Sequence, residues 1–357
     1  MKKHNFSAGP CILPQEVLNK AADAIRNFNG IDLSIIEISH RSKDFVAVME
    51  NACNLVKKIL ELPEGYSVLY LQGGASLEFL MCPYNLMTEG GKAAYIDTGA
   101  WSGKAIDEAK LFGEVEIIAS SKDKSYNYIP KNYTVPSDVD YVHCTSNNTI
   151  FGTQLKEFPQ TDSLLVCDMS SDIFSRKIDF SQFDLIYAGA QKNMGPAGTT
   201  LVIVKDEILG KTGRTIPSML DYRVHIKKES MNNTPPVFAV YVSMLTLEWL
   251  LDLGGIPVIE KMNEEKAALI YAEIDRNPLF TGFAVKEDRS LMNVTFNLLN
   301  SEHQETFDAM WNKAGISGIK GHRSVGGYRA SIYNAMPIES VQVLVNTMQE
   351  LEKKYYN

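Results

Sequence analysis

Arginine is scarce in this chain, at nine of the 35 basic residues, and acidic side chains outnumber basic ones to leave a formal charge of −8. A net negative surface repels polyphosphate, so nucleic acid and an anionic membrane are excluded as principal partners. Long hydrophobic runs are missing as well. No stretch reaches the roughly 20 apolar residues needed to span a bilayer, and residues 1–4 (Met-Lys-Lys-His) do not open a secretory leader. Cysteine is limited to Cys11, Cys53, Cys82, Cys144 and Cys167, an odd number with no C-x-x-C spacing. That speaks against zinc and reads as reduced core thiols of a cytoplasmic protein. What is present is ordinary: 357 residues, 45% hydrophobic and 22% charged, with room for a large domain and a smaller one.

The chain is organised around residues 184–198, Asp-Leu-Ile-Tyr-Ala-Gly-Ala-Gln-Lys-Asn-Met-Gly-Pro-Ala-Gly, with Lys192 at the centre. Residues 185–187 read as a short buried strand and 200–204 (Thr-Leu-Val-Ile-Val) as a second one. Small residues and prolines ring the lysine between them. Lysine is seldom buried, because desolvating its ammonium is costly unless the charge is paired or lost. A lysine that forms an imine sheds that charge, and burial makes the free amine a nucleophile near neutral pH. A lone lysine on a strand connection is ordinarily a surface residue. Upstream, however, residues 164–168 (Leu-Leu-Val-Cys-Asp) form another apolar strand ending in Asp168. A carboxylate to hold a pyridine nitrogen protonated and a lysine to carry the ring as an imine are the pair that pyridoxal phosphate chemistry requires.

The residues around this pair resemble those of phosphoserine aminotransferases, which are fold-type I pyridoxal phosphate enzymes. The resemblance rests on Asp168, the run from Tyr187 to Gly198, residues 233–236 (Asn-Thr-Pro-Pro), and residues 321–337 (Gly-His-Arg-Ser-Val-Gly-Gly-Tyr-Arg-Ala-Ser-Ile-Tyr-Asn-Ala-Met-Pro). It extends from residues 5–10 (Asn-Phe-Ser-Ala-Gly-Pro) to the last helix. An α/β fold follows: a large domain with a mostly parallel sheet flanked by helices, and a small α+β carboxy-terminal domain. The expected limits are an amino-terminal arm at 1–15, the large domain at 16–256 and the small domain at 257–357.

Local patterns agree with that architecture. Pro14 opens a helix whose Val17, Leu18, Ala21, Ile25 and Phe28 share one face, closed by Asn29-Gly30. Ser39-His-Arg-Ser42 precedes a helix striped by Phe45, Val48, Ala52, Leu55 and Ile59. A strand at Tyr66–Leu71 leads through Gln72-Gly-Gly-Ala-Ser76 into a helix, and a glycine-rich turn feeding a helix start offers free N–H groups to a phosphate. Short strands at 93–97, 115–119 and 139–144 alternate with helical segments, which means a largely parallel sheet. Trp101, Thr149 and Asp168 each fall at or just past a strand's carboxyl end, where open α/β sheets bind their ligands. Residues 239–253 are apolar nearly all round and read as a buried helix. Pro257 begins the next helix, 292–298 alternate as a strand, and Val341, Leu344, Val345, Met348 and Leu351 stripe the last helix.

The resemblance implies the remaining roles. Ala75 and Ser76 hold the cofactor phosphate, Trp101 stacks on its ring, Thr149 bonds its phenolic oxygen, and Gln191 makes a phosphate contact. Asn233 and Thr234 reach the cofactor of a partner subunit, and His40 and Arg41 meet the substrate's acidic tail across a dimer interface. Arg329 takes the substrate α-carboxylate, with His322 and Arg323 on the distal group. Ser76 departs from the pattern, since many relatives have an arginine there. The implied reaction moves an amino group from glutamate to 3-phosphohydroxypyruvate, with 4-phosphohydroxythreonine as a further candidate substrate. The competing readings are a small-substrate aminotransferase, a cysteine desulfurase lacking its loop cysteine, a dehydrogenase lacking G-x-G-x-x-G after the first strand, and a non-catalytic binding protein.

Overall fold

The structure, a computed structural model, describes residues 3–323 and 325–356. Its helices are, in chain order, α1 (Gln15–Arg26), α2 (Lys43–Ile59), α3 (Gly74–Leu86), α4 (Ala100–Ala109), α5 (Tyr222–Lys227), α6 (Val237–Asp252), α7 (Ile256–Arg276), α8 (Gln304–Lys313) and α9 (Ile338–Tyr356). The main sheet has seven strands in the spatial order Tyr66–Leu71, Thr200–Lys205, Leu185–Gly189, Leu164–Asp168, Tyr141–Thr145, Lys92–Asp97 and Glu114–Ser120. Six run the same way; Thr200–Lys205 is antiparallel to both of its neighbours. That reversal follows from a short connection. The few residues around Lys192 return the chain directly beside Leu185–Gly189, too short a link for the crossover helix that a parallel partner needs.

Strands buried on both faces need continuous apolar sequence, and Leu185–Gly189 is buried at every position. One face packs on α1, α2 and α6. The other packs on α3, α4 and α5. The stripe predicted on α2 is buried at all five positions. Ser42 starts that helix by accepting a bond from Phe45 N at 3.4 Å. α1 corrects the predicted stripe. Val17, Ala21 and Ala24 face the core, whereas Leu18 and Ile25 are 38% and 41% exposed. The helix also stops at Arg26, so Phe28 enters the core from a separate 3-10 turn, Phe28–Gly30. The predicted strand at 139–144 begins later, at Tyr141, and runs to Thr145.

A second core lies under an antiparallel sheet of Phe280–Gly282, Asn293–Leu298 and Tyr328–Ser331, covered by α7, α8 and α9. The change of core falls inside α7: Ile256 and Ile259 pack in the first core, Ala267, Ile270 and Ile274 in the second. The amino-terminal arm joins the second core too. His4–Asn5 pairs in parallel with Ile316–Ser317, and Phe6 is fully buried there. Among the described residues no single helix is long and apolar enough to cross a membrane. The most apolar helix, α6, is largely buried in the core.

Candidate active site

The carboxyl ends of the parallel strands meet at one rim. Thr145 pairs with Asp168, and Asp168 with Tyr187, so the ends lie level. A cavity of about 320 Å³ opens there, lined by Ala75, Ser76, Trp101, Thr149, Asp168, Gln191, Lys192, His322 and Arg329 among others. These nine residues, all singled out from sequence, are thus brought together.

Lys192 enters from the connection after Gly189, and its Nζ donates to Thr149 Oγ1 at 2.8 Å. Its backbone is held from several sides. The Cys11 thiol donates to Lys192 O at 2.7 Å and Cys11 N to Gln191 O at 3.2 Å. Burial pushes that thiol up to about 12, so it remains a donor. Asn193 donates to Ile173 O and accepts from Asn334 N at 3.0 Å. With its amine so enclosed, Lys192 is lowered to about 8: burial disfavours the ammonium and Arg329 adds to this, while Asp168 opposes it. Asp168 is 4% exposed and accepts from Ser170 N at 2.9 Å. Burial raises its pKa, against the Ser170 hydrogen bonds and the Lys192 charge that favour the carboxylate. A cationic partner inside the cavity would relieve that burial cost.

α3 begins at the same rim. Gly73 caps it in the left-handed region at φ +95, and no side chain bonds its first turn. The N–H groups of Gly74, Ala75 and Ser76 are therefore left for a ligand, on the positive end of the helix dipole. Trp101 stands in the first turn of α4, with its ring centroid 6.0 Å from Lys192 Nζ. Its buried Nε1 has no partner, nor do Thr145 Oγ1 and Arg329 Nε.

Arg329 comes from the second core. Its Nη1 donates to Thr149 O at 3.4 Å, and burial lowers its pKa. The segment following it is clamped by Lys266, a buried lysine on α7 whose Nζ donates to Ile332 O (3.1 Å), Tyr333 O (2.8 Å) and Asn334 O (3.4 Å). Asn334 then bonds Asn193, beside Lys192, so one chain of contacts sets Arg329 against the lysine.

Five residues do not reach this cavity within the chain. His40 is half-buried and Arg41 exposed, before α2. Asn233 donates to Gln72 Oε1 at 2.5 Å, and Thr234 is exposed. Arg323 is exposed on the loop beside His322. Ala8, Gly9, Gly74, Thr145, Asn147, Ile150, Ser170 and Ser171 line the cavity without having been singled out. The only sequence signal for Ala8 and Gly9 was the turn-forming composition of the arm, which does not say where an arm docks. A Cβ on Gly9 would lie 3.3 Å from Lys192 Cγ, so glycine permits the close approach.

A profile for class-V aminotransferases matches residues 3–344. The chain belongs to the aminotransferase class-V family. Within this family it is 71% identical over 355 residues to the phosphoserine aminotransferase of Flavobacterium johnsoniae, covering 99% of this chain and all of that one. Among solved structures it resembles the phosphoserine aminotransferase from Bacillus circulans subsp. alkalophilus, at 42% identity and a TM-score of 0.96 over 99% of both chains. It also resembles a pyridoxal phosphate-bound phosphoserine aminotransferase from Trichomonas vaginalis, at 35% identity and 0.93 over 98% of this chain and all of the other. These aminotransferases share the fold-type I architecture described above. The class-V site also fits the family's cofactor chemically: free helix-start N–H groups suit a phosphate, a buried carboxylate suits a ring cation, and a depressed lysine suits an aldehyde.

Proposed function

We infer that this class-V aminotransferase is a phosphoserine aminotransferase, moving an amino group reversibly between glutamate and 3-phosphohydroxypyruvate to give O-phospho-L-serine and 2-oxoglutarate. The observation that carries the reading is one cavity bracketed by Asp168 and Lys192 at the sheet rim and by Arg329 and His322 on the opposite core. Relatives at 56–71% identity over nearly the whole chain bear that name, which supports the substrate class.

Pyridoxal phosphate, when bound, supplies an electron sink that allows the substrate α-hydrogen to leave as a proton. The α3 start, with Ala75 and Ser76, would hold the phosphate, and Gln191 would add a contact. Trp101 would stack on the ring. Asp168 would keep the ring nitrogen protonated, an opposite-charge pair that favours both ionised forms. Thr149, which accepts from Lys192 Nζ, would bond the phenolic oxygen. The neutral Lys192 amine would take and return a proton at the substrate α-carbon. Arg329 would fork the α-carboxylate and His322 would meet the distal group, with Arg323 brought to it from the exposed loop beside His322.

His40, Arg41, Asn233 and Thr234 complete the site of a second copy in a homodimer. Exposed apolar side chains in the segment before His40 support this: Leu18, Ile25, Ile31, Leu33 and Ile36 are all exposed, Ile36 by 62%. The five cysteines are free among the described residues, which suits a cytoplasmic enzyme.

The deciding experiment is Lys192→Ala. The purified variant is expected to lose the visible absorbance of bound cofactor and to transaminate phosphoserine at least about a thousandfold more slowly. Turnover near the wild-type rate would refute the assignment.

A further inference from the structure

Two polar residues of α7 stand where the core changes. Asn263 and Lys266 fall between Ile259, packed in the first core, and Ala267, packed in the second. Both are buried, at 0% and 1% exposure, and residues three apart share one face of a helix. Both turn to the segment after Arg329. Lys266 Nζ donates to the carbonyls of Ile332, Tyr333 and Asn334, and Asn263 Nδ2 donates to Asn334 Oδ1 at 2.9 Å and to Ser175 O at 3.0 Å.

Burying a lysine is costly, so the charge needs a reason to be there. Among the described residues Lys266 forms no salt bridge, and its hydrogen bonds go to those carbonyls. Burial lowers its pKa to about 7, while bonds to three oxygens favour the ammonium. A neutral amine would turn its lone pair on one of them. Asn334 carries the restraint onward. Its N donates to Asn193 Oδ1 at 3.0 Å, beside Lys192, and its Nδ2 donates to Phe174 O at 2.9 Å, beyond Asp168. Every polar group of Asn334 is therefore engaged, and a buried network so satisfied is stiff. The Arg329 side chain, in contrast, is held by little. Its Nη1 reaches Thr149 O at 3.4 Å and its Nε has no partner, so its place depends on the backbone that bears it.

We propose that Lys266 is a positioning residue for amino transfer, whose ammonium gathers the carbonyls of residues 332–334 and so sets Arg329 at the distance from Lys192 that a substrate held by both requires. The inference rests on the proposed place of Arg329 at the substrate α-carboxylate. Glutamate and phosphoserine both carry that carboxylate, so a displaced Arg329 weakens the two together.

The test uses the holoenzyme with Lys266→Met, and with Lys266→Gln and Asn334→Ala, which leave part of the junction in place. KM for glutamate and for O-phosphoserine is expected to rise together, about tenfold or more for the methionine variant and about threefold for the others. The visible spectrum of bound cofactor should match wild type, with its affinity within about twofold, since Cys11 and Asn193 still hold the Lys192 backbone. Melting temperature falls in all three, because buried carbonyls lose donors. A merely structural role would stop there: partial unfolding lowers kcat and leaves KM of the folded fraction unchanged. In an Arg329→Ala background, Lys266→Met should add less than about twofold to the loss in kcat/KM, because the group it positions is gone. Unchanged KM for both donors in the folded variants, or losses that add in full with Arg329→Ala, would overturn the proposal. Should the methionine variant not fold, the other two decide by the same measures. Wild-type enzyme that turns over glutamate and leaves phosphoserine untouched would sink the substrate reading instead, and glutamate alone would still test Lys266.

Discussion

At the scale of single residues, the proposed chemistry rests on two groups whose pKa values burial shifts in opposite senses. Enclosure disfavours the ammonium of Lys192 and the carboxylate of Asp168 alike, yet each partly steadies the charged form of the other. With Lys192 lowered to about 8, its neutral amine grows about tenfold per pH unit below that point and saturates above it. Cofactor-free protein is therefore expected to take up pyridoxal phosphate faster as pH rises from about 6 to about 8, with the rate levelling off near pH ~9. Stopped-flow absorbance would follow it; a rate still climbing steeply past pH ~10 would mean an unshifted lysine. Both residues were legible as types in a sequence context, a lysine among small residues and an aspartate ending an apolar strand. Their partners were less so. Asn193, Asn334 and Lys266 belong to two different cores, and no local pattern shows that they meet.

At the scale of elements, the start of α3 is the proposed phosphate holder. The motif of strand, Gly-Gly and apolar helix was readable because glycine at a helix start implies an unusual backbone. The structure supplies the reason at Gly73: φ is +95, and a Cβ would lie 2.5 Å from Leu77 Cβ. Gly73→Ala is expected to cost about 1–3 kcal/mol of stability and to weaken cofactor binding about tenfold, because the first-turn N–H groups shift. Thermal melts and an absorbance titration would measure both. α1 shows the converse. Its spacing placed Leu18 and Ile25 on the inward face, but a helix stripe broad enough for the core can also serve a neighbour. Periodicity alone does not say which apolar residues face inside.

At the scale of the whole molecule, two cores share one long helix, and the arm from the chain's start docks on the second core while lining the cavity formed by the first. Closing this arrangement with a second copy would cover the apolar surface around Ile36 and bring His40 and Arg41 to a neighbouring site. Ile36→Glu is expected to shift the protein toward a monomer in light scattering and to lower turnover at least about tenfold, since a charge buried in an interface is costly. A variant that remains dimeric and fully active would show that the interface lies elsewhere.

The strands, most helices, the aspartate–lysine pair and the glycine-rich helix start could be read from the residues alone, because each is a local matter of period, backbone freedom or residue type. Packing was needed to establish that Thr200–Lys205 runs against its neighbours, that Ala8 and Gly9 lie beside Lys192, and that Lys266 fixes the segment behind Arg329. Those are contacts between parts of the chain far apart in sequence, set by how two cores pack, and no window of neighbouring residues contains that information.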